Sequence, residues 1–310
     1  MREEEIHLEW RPPRINEDNE HGPLSQQCKC VTFEVIHSLQ LLVAVLHWVD
    51  TTESSQSDYI LHPQKTLMSK NPYESKKLLS EYLLFHFGNQ EEILPWSFGP
   101  QNSLNFPVRT VAHFSNSNDN KVHRSLDLGC AVGRSTFELS KTSEEVLGID
   151  YSQSFIDAAK RLANGESLEY EIQDEGNFTK KLVTHTIDKG NGQINFEQGD
   201  ATDLRFDIGQ FDRVHAANLV CRVPNPNLLL QRLPDLVKTG GELVLATPCT
   251  WLEEYTKPEY FPNSSTLEWL KSALQSDFEL LKQADEPFLI REHSRKYQWT
   301  VSMITVWRRK

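Results

Sequence analysis

Residues Ser125–Ser135 read Ser-Leu-Asp-Leu-Gly-Cys-Ala-Val-Gly-Arg-Ser, an apolar strand running into a turn of small residues, and Asp150 follows 21 positions after Gly129. Gly129, Ala131 and Gly133 allow a ligand to approach the backbone closely, and a helix opening near Ser135 aims free N–H groups at it. Val146–Ile149 reads as a second strand, so Asp150 at its end can accept both hydroxyls of a ribose. The pairing constrains the chain to a βαβ unit around a nucleotide-type cofactor. A dinucleotide fingerprint needs Gly at the second and last places of G-x-G-x-x-G, but Ala131 and Arg134 stand there, which makes NAD the minor reading.

Three more strand signals follow in order. Gln198-Gly199-Asp200-Ala201 ends a third strand, Phe211 to Leu219 is a fourth that runs into the rim, and Gly240-Gly241 precedes a fifth, Glu242 to Thr247. Strand and helix signals alternating at this spacing give a parallel sheet.

This series resembles the class I S-adenosylmethionine-dependent methyltransferases, whose first motif is an acid followed by Gly-x-Gly/Ala-x-Gly and whose second strand ends in Asp or Glu. The resemblance implies an α/β, Rossmann-like fold: a mostly parallel seven-stranded sheet, helices on both faces and a helical N-terminal cap. It implies S-adenosylmethionine as cofactor and no metal. Asp127, Gly129, Ala131, Gly133, Asp150, Tyr151, Asp200, Ala201 and Asn218 are the cofactor contacts it marks, with Asp127 facing the methionine ammonium and Asp200 the adenine amino group.

The flanking segments predict further elements. Asn71-Pro72-Tyr73-Glu74 reads as a cap, a proline at the first helical position and an acid three after the cap, opening a helix that Gly88 stops. A second helix is predicted over 103–114, interrupted early by Pro107. Leu168 to Ile172 and Leu182 to Ile187 alternate like a hairpin around Gly176, an insertion that is either lid or decoration. Ser265-Thr266-Leu267-Glu268 opens a helix to about Leu274, and Phe278 to Gln283 with Trp299 to Trp307 form two final antiparallel strands. The chain divides into a polar, irregular extension, 1–70, and a methyltransferase domain, 71–310. Val31 to Val49 is its longest apolar stretch, but Glu34, His37, Gln40 and His47 interrupt it, which favours a docking helix or edge strand over a span of ~20 residues.

Charge narrows the partners. With 44 acids against 32 bases the net charge is −12, a poor electrostatic match for nucleic acid and a better one for a small zwitterion or cation. Nucleic-acid amino-group methylases also carry Asn/Asp-Pro-Pro-aromatic after the fourth strand, where Ala216-Ala217-Asn218-Leu219 stands. Five cysteines without a C-x-x-C pair and an acidic N-terminus point to a reducing, cytoplasmic setting.

Several peripheral segments resemble one family more narrowly: Asn71-Pro72-Tyr73-Glu74-Ser75, Ser80 to Gly88, Leu94-Pro95-Trp96, Asn105 to Arg109, Thr250-Trp251-Leu252-Glu253-Glu254-Tyr255, Arg291-Glu292 and Arg295 to Gln298. Together they are similar to the C-terminal methyltransferase domain of the ovothiol-biosynthesis enzyme, which implies methyl transfer to an imidazole nitrogen of mercaptohistidine. The family's iron-dependent sulfoxide synthase, with its His-x-x-x-His-x-Glu ligands, has no counterpart here. A separate such enzyme is therefore the expected upstream partner. Three side chains are candidate bases: His215, Glu253 and Glu254. His215, one turn before the rim, reads somewhat better as a packed strand residue. A zwitterionic acceptor calls for an arginine, Arg109 or Arg291, and for aromatic surface from Tyr73, Trp251 and Tyr255. Another small-molecule N- or O-methyltransferase, or a non-catalytic cofactor-binding subunit, are the competing readings.

Overall fold

The computed structural model describes residues 71–115 and 121–310. The expected extension over 1–70, Val31 to Val49 included, lies outside them. In chain order the helices are α1 Lys76–Phe87, α2 Gln90–Ile93, α3 Phe106–Val111, α4 Arg134–Leu139, α5 Gln153–Ala163, α6 Pro226–Leu236 and α7 Thr266–Leu274. The strands are β1 Val122–Leu128, β2 Ser143–Asp150, β3 Glu169–Glu175, β4 Phe178–Val183, β5 Gln193–Gln198, β6 Phe211–Ala217, β7 Val237–Thr247, β8 Phe278–His293 and β9 Lys296–Arg309.

Seven strands form one sheet in the order β5-β2-β1-β6-β7-β9-β8. The first five are parallel, and β9 runs antiparallel to both β7 and β8. After β1 the chain winds outward through β2 to β5, then returns to lay β6 on the other side of β1. That reversal opens a crevice beyond the carboxyl ends of β1 and β6, where open α/β sheets bind ligands.

Burial on both faces explains the apolar strands. Leu126 and Leu128 point toward Leu229, Leu233, Leu270 and Leu274 of α6 and α7. The opposite face is covered by Phe137 of α4 and by Phe155, Ile156 and Leu162 of α5, which pack with Leu83 and Leu84 of α1. The β3–β4 hairpin turns at Gly176 as expected, although β4 ends at Val183 rather than Ile187. Its Tyr170, Ile172 and Leu182 join the same cluster, so the insertion is a fixed wall.

Several boundaries differ from the sequence expectation. Pro72–Glu74 is a 3-10 turn, and α1 is capped instead by Ser75, whose Oγ accepts from Leu78 N at 3.2 Å. Ser103 to Phe114 does not form one helix: a 3-10 turn at Gln101–Ser103 precedes α3, and Pro107 lies in the first turn of α3, where its missing N–H costs nothing. β8 and β9 are much longer than predicted. The extra length of β8 contains Asp285, Glu286, Pro287 and Arg291, a run that reads poorly as strand. It is held because Glu286 pairs with Arg109 at 2.7 Å and with His113 at 2.8 Å.

Candidate cofactor and acceptor site

Three alternate tight positions shape the crevice floor: Gly129 at φ 70°, Ala131 at φ 48° and Gly133 at φ 93°. A side chain at Gly129 would meet Leu219, just past β6, at 3.1 Å. The turn after β1 and the segment after β6 therefore touch across the crevice.

Asp150 organises this floor. Its Oδ2 accepts from Ala131 N and its Oδ1 from Ser152 N, both at 2.9 Å. Burial raises its pKa to about 6 in spite of these two donors, with Asp127 and Glu74 adding to the rise. Each oxygen keeps a lone pair free. A buried acid held this way gains from further donors and from positive charge, and S-adenosylmethionine brings both in its ribose hydroxyls and sulfonium, so the residues present fit that cofactor. Asp200 follows β5, and its Oδ1 accepts from Thr202 N at 2.8 Å and Thr202 Oγ1 at 2.7 Å, leaving Oδ2 without a partner among the described residues. Tyr151 stands 58% exposed beside Asp150, whereas Ala201 is buried behind Asp200. Asn218 takes φ 55°, donates its N–H to Ala246 O and accepts from Ser302 Oγ at 2.7 Å, which fixes its place at the end of β6.

The N-terminal segment closes one side. Glu74 accepts from the first N–H groups of α5, Gln153 at 2.8 Å and Ser154 at 3.3 Å. The Tyr73 carbonyl accepts from Ser152 Oγ at 3.2 Å. Around Tyr73 stand Phe155, Tyr82 and Tyr255, with ring centroids at 5.9, 6.2 and 6.2 Å. Burial pushes the Tyr73 and Tyr82 phenols well above their ordinary pKa, so both remain donors at any physiological pH.

The other predicted site residues divide sharply. Tyr73 and Tyr255 are brought together at the mouth. Asp127 and His215 are not at the surface of the crevice: each is 1% exposed, and His215 Nδ1 meets Asp127 Oδ1 at 2.8 Å while Nε2 meets Thr110 Oγ1 at 3.0 Å. Asp127 Oδ2 accepts from Thr136 Oγ1 at 2.7 Å, so each of its oxygens already holds one protein partner. The pair braces β1 against β6, and His215 has no route to a substrate proton. Arg109 is committed to Glu286 and the Pro287 carbonyl. Arg291 is buried, donating to the carbonyls of Glu92 and His293 and lying 3.7 Å from Asp174. Neither arginine reaches an acceptor. Trp251 packs on Phe261 and Trp269, with Nε1 donating to Thr266 Oγ1 at 3.1 Å. Glu253 and Glu254 are exposed in the turn before Tyr255. Sequence reasoning missed Tyr82, which reads as one more apolar position of α1, and the capping role of Glu74 toward α5.

Comparison with known proteins agrees with this geometry. Residues 126–245 match the family described as Methyltransferase domain. The ubiquinone biosynthesis O-methyltransferase of Coxiella burnetii is 29% identical over 122 residues, 39% of this chain and 42% of that protein. The demethylmenaquinone methyltransferase of Lactococcus lactis is 27% identical over 180 residues, 56% of this chain and 55% of its own length. The chain thus spans between 37% and 61% of the length of these and similar curated relatives. Among solved structures, N-methyltransferase NodS from Bradyrhizobium japonicum in complex with S-adenosyl-l-homocysteine superposes over 74% of this chain and 98% of its own, at 12% identity and a TM-score of 0.44. The glycine turn, the strand-end acids Asp150 and Asp200, the strand order and the family match identify residues 126–245 as a class I S-adenosylmethionine-dependent methyltransferase domain.

Proposed function

We propose that this protein methylates an imidazole ring nitrogen of mercaptohistidine, a sulfur-bearing amino acid made upstream by an iron-dependent enzyme. One observation carries the reading. The Asn71–Ser75 and Thr250–Tyr255 segments, which resemble the ovothiol family and lie outside the matched residues 126–245, meet through Tyr73 and Tyr255. Two aromatic faces at that point suit a flat heterocycle.

When bound, the cofactor supplies an activated methyl group, which a ring lone pair takes in line from ~3 Å. Asp150 and Asp200 hold the ribose and adenine ends. Tyr73 and Tyr255 orient the acceptor ring and keep water from its reactive edge. With His215 enclosed, any ring proton that must leave goes to Glu253 or Glu254, the exposed carboxylates beside Tyr255. No described helix is long and apolar enough to cross a membrane.

The test is a steady-state panel at saturating cofactor: mercaptohistidine, histidine and a catechol. Mercaptohistidine should show the highest kcat/KM. A preference for the catechol, in line with the quinone-pathway relatives, would assign the site to oxygen acceptors instead.

A further inference from the structure

With Arg109 and Arg291 committed elsewhere, the acceptor side needs another cation, and the rim segment after β6 holds one. Arg222 ends a 3-10 turn, Val220–Arg222, that begins directly after Leu219, the residue packed over Gly129. Its Nη1 donates to the carbonyls of Cys221 and Thr250, each at 2.9 Å. Those bonds tie the rim segment after β6 to the one after β7. Its guanidinium carbon lies over the Tyr255 ring, 4.8 Å from the centre, a cation–π contact that holds the group in place.

Two Nη1 hydrogens are thereby used. Arginine has five N–H donors; of the remaining three, Nε–H and one Nη2–H lie along one edge, which matches a carboxylate in two parallel bonds. Among the described residues nothing occupies that edge, and no carboxylate pairs with Arg222. The guanidinium also sits close enough to Tyr73, Tyr82 and Tyr255 to pull all three phenols down against the larger rise that burial causes. It is a pre-oriented, unpaired cation inside the aromatic mouth of the site.

We infer that Arg222 is the specificity residue for the acceptor, its Nε–Nη2 edge receiving a carboxylate while Tyr73 and Tyr255 take the attached ring. The substrate class is an aromatic or heteroaromatic acid. This deepens the reading of the site as one for a mercaptohistidine-like amino acid, and it rests on that reading for the ring but not for the anion.

The experiment is a calorimetric titration of the full chain, saturated with S-adenosylhomocysteine, with imidazole-4-acetate and with its neutral amide. The wild type should bind the acid about tenfold more tightly or better, the scale of hydrogen bonds to a charged group. Arg222→Ala should bind acid and amide alike, and Arg222→Lys, a point charge without the fork, should keep only part of the preference. Thermal melting and cofactor affinity confirm that each variant is folded; if the alanine variant is not, the lysine variant decides by losing or keeping the full preference. Equal binding of acid and amide by the wild type, a preference that survives in Arg222→Ala, or the full wild-type preference in Arg222→Lys, overturns the assignment. A wild type that prefers the acid yet fails to methylate mercaptohistidine keeps Arg222 in this role and ends the mercaptohistidine reading alone.

Discussion

Glu74, three residues into the described chain, accepts hydrogen bonds from the N–H of Gln153 at 2.8 Å and of Ser154 at 3.3 Å, the first N–H groups of the helix that follows Asp150. The N-terminal segment is therefore built into the cofactor floor. Glu74→Ala removes a charged cap at a helix N-terminus and should destabilise the fold by about 1 kcal/mol. Because Ser152 and Ser154 also hold the Tyr73 carbonyl, cofactor affinity should fall as well. Chemical denaturation and calorimetry on the same variant read the two effects separately.

Asp150→Ala takes away the proposed acceptor for two ribose hydroxyls and the anchor of Ala131 N. Cofactor binding should weaken by about 1.5 to 3 kcal/mol, roughly ten- to a hundredfold. Unchanged affinity in calorimetry would remove Asp150 from the site.

The same residue predicts a pH dependence. Its folded pKa is raised to about 6. A raised acid contributes stability that is fully present below its unfolded pKa and is lost as pH rises through the folded one, so the cofactor-free protein should lose stability between about pH 4 and pH 6 from this group. The ionised carboxylate is the better acceptor and the better partner for a cation. Cofactor affinity should then move the other way, weakening below about pH 6 by at most tenfold per unit, with the dependence absent in Asp150→Asn. Titrations at about pH 5 and pH 7.5 measure it.

Arg291→Ala should injure the fold and spare the site. The side chain is 6% exposed and ties the Glu92 carbonyl in α2 to the β8–β9 tip. Loss of these charged hydrogen bonds should cost about 1.5 to 3 kcal/mol in denaturant unfolding, with cofactor affinity unchanged. His215→Ala should also act on stability: it leaves buried Asp127 without its partner, at a cost of about 3 to 5 kcal/mol, while His215→Asn, which keeps a donor, should lose less. A shift in the pH–rate midpoint of His215→Asn with stability intact would restore His215 as a base.

The turn at Gly129 and the strand ends near Asp150 and Asp200 are legible in the sequence because they are local features, carried by a few neighbouring residues. Which arginine faces a ligand is a long-range matter: Arg109 is claimed by Glu286, 177 positions away, and Arg291 by a carbonyl 199 positions away. His215 followed the strand pattern, and only the register that pairs Asp127 with His215 across β1 and β6 shows it enclosed. Arg222 lies in a short turn with no periodicity to mark it. The second half of β8 was hidden for the converse reason, since Glu286, Pro287 and Arg291 carry no strand pattern and are held by partners elsewhere.

The central claim is a methyl group delivered to an imidazole nitrogen at the Tyr73–Tyr255 mouth. Its most direct test is an NMR measurement on the product formed from mercaptohistidine and S-adenosylmethionine carrying a carbon-13 methyl. Methyl transfer at this mouth should give a single labelled methyl on a ring nitrogen, its carbon coupled through that nitrogen to the one ring C–H proton. Label found on sulfur, or no label on mercaptohistidine while a phenolic acceptor in the same mixture is methylated, would contradict it.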